Sequence, residues 1–173
     1  MSVTKPATQP EPWLRGTRTE LSAVLRGVLH ALDLAREDVL RACAGLSMDE
    51  LYAMPLGLTP LAYHLRHIPR SLDRLLTYAE GETLSQAQLT KLSSESEPDV
   101  ESEELITEFV EGLDQAEARI RRFVSADLEA TRSVGRKELP TTVGGLLVHL
   151  ADHTQRHVGQ VVTTAKAVRA SAV

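Results

Sequence analysis

Apolar positions recur at spacings of three and four in four separate stretches of the chain. In the first, residues 17–44, Leu21, Val24, Leu25, Val28, Leu32, Ala35, Val39, Ala42 and Cys43 fill one stripe of a helix. Thr17 or Thr19 can cap its start, and Gly45 stops it. Ser47-Met48-Asp49-Glu50 has the form of a capping box and predicts a short helical turn before Pro55. The second helix starts near Thr59-Pro60 and ends at Gly81, with Leu61, Leu65, Ile68, Leu72, Leu75 and Leu76 on its face. Pro69 lies inside it and is expected to kink it, because proline cannot donate to the carbonyl four residues back. The third helix spans residues 101–124, with Leu105, Phe109, Leu113, Ala116, Ile120 and Phe123 in register. The fourth starts at Pro140-Thr141 and reaches Val168 through Val143, Leu146, Leu147, Leu150, Thr154, Val158, Val161 and Ala165. No stretch alternates with period two for long enough to predict a strand. The prediction is an all-α four-helix bundle.

The remaining segments are connections. Residues 1–12 carry Pro6, Pro10 and Pro12 and read as a flexible leader, with Trp13 and Leu14 expected to pin its end to the body. Residues 13–173 then form a single domain, a length that can bury a core without staples. Residues 82–102 are rich in Ser, Glu and Gln and predict a long crossover between the second and third helices. It has one helical turn around residues 85–92 and is expected to form part of a site wall. Residues 125–139 are polar and read as irregular.

Composition narrows the function classes. Hydrophobic residues make up 42% of the chain but aromatic ones only 3%, so the core is aliphatic. Nineteen Lys and Arg against 24 Asp and Glu give a net charge of −5, which argues against a dedicated nucleic-acid binder. No apolar run approaches the roughly 20 residues that cross a bilayer, so no membrane partner is expected. The first residues lack the apolar core of a secretory signal. The one cysteine, Cys43, excludes an internal disulfide framework and a Cys-rich zinc module, and fits a reducing, cytoplasmic setting.

Five of the six histidines fall in two short windows: His64 and His67, then His149, His153 and His157. His153 and His157 are four residues apart, so they project from one helix face and can take adjacent positions on one metal ion. A third ligand must come from another element, and the second helix offers His64 or His67. Three neutral imidazoles leave a coordination position open for water or substrate. With Val143 at zero, the stripe of the fourth helix centres at about +10°, and His157, His153 and His149 fall at about −40°, −80° and −120°. On the second helix, with Leu61 at zero, His64 falls at about −60° and His67 at about −120°. Phase therefore points His64 inward, and it turns His30 away from the first stripe. Arg66, Arg70 and Arg74 read as a solvated face of the second helix, and Cys43 as a small buried residue. Gln160 is placed to support an imidazole, or to lie exposed.

The segment Leu147-Val-His-Leu-Ala-Asp-His-Thr-Gln-Arg-His-Val-Gly-Gln160 resembles the final-helix signature of the DinB-like superfamily, a His-x-x-x-His pair leading into Gly-Gln. Leu65-Arg-His-Ile-Pro-Arg-Ser-Leu-Asp73 resembles that family's second-helix motif, except that Pro69 replaces the usual small residue. Order and spacing agree over residues 13–168. The resemblance implies a four-helix bundle with a long crossover, and a divalent metal on three His-type ligands. These would be His67, His153 and His157, so the resemblance selects His67 where helical phase favours His64.

For function, the resemblance implies a metal-dependent enzyme with a small-molecule substrate: a thiol-dependent transferase using a low-molecular-weight thiol, or a hydrolase. A metal fits both, because it stabilises a thiolate and also activates water. The alternative is a non-catalytic stress or interaction protein in which the histidines steady the bundle. Three imidazoles suit Zn, Ni or Fe alike. Homodimers are common among such proteins, so a homodimer is expected from the resemblance, although no residue of the chain specifies one.

Overall fold

The structure is a computed structural model that describes residues 9–97 and 102–171. Most of the expected leader (residues 1–8) and the expected start of the third helix at residue 101 lie outside the described residues. The helices are α1 (Ala23–Cys43), α2 (Met48–Tyr52), α3 (Leu61–Glu80), α4 (Gln86–Ser93), α5 (Ser102–Ile120) and α6 (Val143–Ser171). Short 3-10 turns cover Pro12–Leu14, Pro55–Gly57 and Arg121–Ser125, and a hairpin pairs β1 (Thr131–Val134) with β2 (Leu139–Thr142). Helix α1 lies against α6 and α5, and α3 lies against α5 and α6. The stripes read from the sequence meet in one aliphatic core, in which Leu29, Leu65, Leu72, Leu105, Phe109, Leu147 and Val161 are fully buried. Among the described residues, no helix is long and apolar enough to cross a membrane.

Local signals account for several boundaries. Ser47 and Glu50 make both bonds of the expected capping box at α2. Gly81 closes α3 in the left-handed conformation at φ 89°, with its N–H returned to Thr77 and Tyr78. The expected helical turn in the crossover is α4, opened by a second capping box between Ser85 and Gln88. The Gln88 Nε2 amide then donates to Asp73 and to Thr77 on α3, which seats α4 on that helix.

Other expectations are corrected. Helix α1 begins at Ala23 rather than near residue 17, because the preceding residues fold back over it. Trp13 and Leu14 do not pin the leader, being 62% and 57% exposed. Arg15 pairs instead with Glu37, and Arg18 grips both Asp33 and Glu117, tying this segment to α1 and α5. His30, expected to face outward, is buried beneath the same segment, with Nε2 3.1 Å from the Thr17 hydroxyl.

Residues 131–142 form a hairpin where an irregular stretch and a helix start at Pro140 were expected. Its inner positions on β1 are Arg132 and Val134, so the alternation is not one of apolar residues. Arg132 can face inward because its Nε donates to the Ala79 carbonyl at 2.8 Å. Helix α6 then starts directly after β2, where the Thr142 hydroxyl accepts from the Gly145 N–H at 3.0 Å.

Helix α3 continues through Pro69 to Glu80 as one helix. The proline ring faces Gly112 of α5, and a Cβ on Gly112 would lie 2.2 Å from the Pro69 Cβ. This close approach needs a glycine.

Candidate metal centre

Arg66, Arg70 and Arg74 repeat every four residues and so share one face of α3. They do not form the solvated face expected of them. Arg66 is 2% exposed and donates to the carbonyls of Ser94 and Glu97. Arg70 donates to the Lys91 carbonyl and the Ser94 hydroxyl, while also holding Glu108 of α5. Arg74 binds Glu95 at 2.7 Å. Together they fold the end of the crossover onto α3 and place Glu95 inside, 5% exposed.

Helices α3 and α6 run antiparallel where they meet, so His64 faces His157 and His67 faces His153. His67, His153 and His157 come together, each with a ring nitrogen, and all three nitrogens lie within 4.8 Å of one another. The Nε2 atoms of His67 and His153 are 3.0 Å apart. The rings of His67 and His157 have centroids 4.4 Å apart, and those of His153 and His157 4.6 Å. His64 is not part of this group. It sits one layer deeper, 2% exposed, with its Nδ1 3.1 Å from the Nδ1 of His157. Helical phase thus identified the buried histidine, while the three grouped rings lie at the half-buried edge of their helices.

The partners of His67 set its proton. Its Nδ1 donates to the Glu95 carboxylate at 2.7 Å, so its Nε2 is the bare nitrogen and points at the other two rings. A carboxylate behind an imidazole is the usual arrangement for holding a metal-binding ring in one tautomer and orientation. Burial alone would raise the Glu95 carboxyl, but hydrogen bonds from His67 and Arg74 outweigh it and hold the group below its ordinary value. Tyr63 stacks on the other face of His67, with ring planes 13° apart.

Burial, and then the neighbouring rings, lower the pKa of His64 and of His153 to about 4. Burial and His67 also lower His157, against the opposing pull of a hydrogen bond with Gln160. These rings are therefore neutral at pH 7, the state in which imidazole binds a metal. The donor set fits a divalent ion: bonds of about 2.0–2.1 Å in a tetrahedron space the donors roughly 3.3 Å apart.

Beside the group lies a cleft of about 380 Å³, lined by Thr59, His64, Arg156, Gln160 and Thr163 among others. His149 is exposed next to His153, with ring centroids 5.6 Å apart. Asp152 pairs with Arg156 on the surface of α6. Cys43 is buried as expected, and burial raises its thiol to about 11, so it stays protonated at pH 7. Glu95 was missed by the sequence reading. It sits in Ser93-Ser-Glu-Ser-Glu97, where nothing local separates a buried carboxylate from a solvated one.

A search of curated proteins finds no match for the chain. A family model for the DinB superfamily matches residues 31–161, which takes in all five histidines of α3 and α6 and the whole of residues 82–102. With the matched span covering most of the sequence and the grouped histidines falling on the two helices that carry the resemblance, the chain belongs to the DinB superfamily.

Proposed function

We propose that the chain is a metal-dependent enzyme acting on a small molecule, built on a four-helix bundle of α1, α3, α5 and α6 with a crossover between α3 and α5. The residues that hold the divalent ion are His67, His153 and His157. The observation that carries this reading is the convergence of three ring nitrogens within 4.8 Å, one of them backed by a buried carboxylate. When bound, the ion supplies a Lewis acid that favours the deprotonated, nucleophilic form of a thiol or of water.

The chain's own residues provide the surroundings. Glu95 keeps His67 protonated on Nδ1, and Arg74 keeps Glu95 ionised and in place. The group among the described residues numbers three, so a divalent ion held by it would have room for an external ligand. A nearby cleft, lined by His64 but by none of the three grouped histidines, offers a small molecule Arg156, Gln160 and Thr163 as hydrogen-bonding groups. The buried, protonated Cys43 is unsuited as a nucleophile, so thiol chemistry here uses a low-molecular-weight thiol from solution.

The test compares zinc-loaded protein with chelator-stripped protein on two panels. One pairs small thiols with a chromogenic electrophile; the other contains activated esters and amides. Zinc-dependent turnover with a thiol supports the transferase, and turnover of the second panel supports the hydrolase. Zinc binding without turnover on either panel would leave the structural role as the correct one.

A further inference from the structure

The hydrogen bonds around the cluster differ between its two helices. His67 is backed by a charged carboxylate, whereas His157 has neutral partners, the imidazole of His64 at its Nδ1 and the side chain of Gln160. We infer that His64 is the positioning residue for His157, a neutral acceptor that keeps the His157 proton on Nδ1 and leaves Nε2 free for a metal ion. This rests on the proposed role of His157 as a ligand.

Proton bookkeeping carries it. Between His67 and His153 an ion would stand between the facing nitrogens, but the two Nδ1 atoms of His64 and His157, 3.1 Å apart and off the ligand face, need one hydrogen between them. A neutral imidazole has one N–H and one bare nitrogen. If His157 is the donor, its Nε2 is bare and able to bind, and the proton of His64 sits on Nε2. If His64 is the donor, its proton sits on Nδ1 and the proton of His157 sits on Nε2, which blocks that atom. The two rings therefore share a tautomeric switch, and only one setting is competent for metal.

The burial of His64 makes it a built feature rather than a surface accident. The ring is 2% exposed, and its Nε2 is buried with no hydrogen-bond partner. A buried polar atom without a partner is unfavourable to the fold. A phenylalanine of similar size would avoid that cost, so the fold alone gives no reason for a histidine here. The bond to His157 supplies one. His64 also lines the cleft, so it joins the ligand group to the space proposed for substrate.

The test uses the full chain and zinc alone as the probe. His64→Phe keeps the ring volume and removes the acceptor, while His64→Asn restores an acceptor near the Nδ1 position. Zinc affinity is measured by competition with a chelating dye, and thermal stability is measured separately on stripped protein. Loss of an outer hydrogen bond typically weakens metal binding by about 10- to 100-fold. The expected result is a weakening in that range for His64→Phe, recovery to within about threefold for His64→Asn, and no loss of stability in stripped His64→Phe. In cobalt(II)-loaded protein, the visible d–d bands should shift in His64→Phe and return in His64→Asn. Unchanged zinc affinity in His64→Phe overturns the inference, as does equal weakening in both variants. Failure of the wild-type protein to bind zinc overturns the parent reading as well, so the two failures are distinct.

Discussion

His67 has two ring nitrogens, and the protein gives each a different neighbour: Glu95 on Nδ1 and His153 across from Nε2. Ordering by that carboxylate is therefore a property of one contact that a single atom exchange can probe. In Glu95→Gln the side chain can still accept from Nδ1–H but carries no charge and binds Arg74 less strongly. Zinc affinity should fall by roughly 10-fold or more, read by dye competition, while the variant stays folded. Affinity equal to wild type would remove Glu95 from the account. Titration offers a second probe at this scale. The folded pKa of His64 and of His153 is lowered to about 4, below the ordinary value of 6.5. Between these values the unfolded chain binds more protons, so stability rises with pH. The contribution is complete above about pH 6.5 and lost as pH falls toward 4. Ion-paired carboxylates such as Glu37 and Glu117 lose theirs only at lower pH, since their folded pKa values lie below 4.5. The melting temperature of stripped protein should drop between pH 6.5 and 5, and a flat profile there contradicts the buried neutral cluster. Residue-scale chemistry was partly legible in the sequence. Spacing found His153 and His157, and the family motif picked His67. Phase favoured His64 because periodicity reports depth in the core, and the edge where the three rings group is not the deepest position. Glu95 was hidden because its burial depends on three arginines whose targets are distant in sequence.

Elements were read more completely than residues. Each long helix carries its stripe in consecutive sequence, so α1, α3, α5 and α6 appear from spacing alone. The capping box at Ser47 located α2 for the same reason, since all its groups lie within four residues, and the helical turn expected around residues 85–92 is α4. The hairpin escaped because Arg132 occupies an inner position that only its bond to Ala79 makes tolerable. The start of α1 escaped because Arg18 folds its segment back through Asp33 and Glu117, the latter 99 residues away. Pro69 shows an element-scale constraint that neither helix reveals by itself. Its ring occupies the space that a side chain at Gly112 would need. Gly112→Ala should therefore destabilise the protein by about 1–3 kcal/mol in chemical denaturation, as overpacking does. The helix propensity of alanine, worth roughly 1 kcal/mol in favour, works against this and sets the low end. A stabilised Gly112→Ala protein would show that α3 and α5 do not approach this closely.

On the scale of the whole molecule, the histidine group joins α3 to α6, His67 and His153 being 86 positions apart in sequence. The crossover closes over the same place, since its Glu95 reaches His67 while Arg66, Arg70 and Arg74 anchor it. An ion bound there is a cross-link between distant parts of the chain, present only in the folded state, and so it stabilises that state by mass action. Everything proposed about function depends on that ion being held by these three rings. The direct measurement is the metal content of protein purified without a metal-affinity resin, equilibrated with zinc and desalted, for wild type and His153→Ala. The account predicts about one zinc per chain in wild type and little in the variant, because two imidazoles rarely suffice to hold the ion. Circular dichroism would show both proteins helical. Equal zinc content in the two would contradict the site.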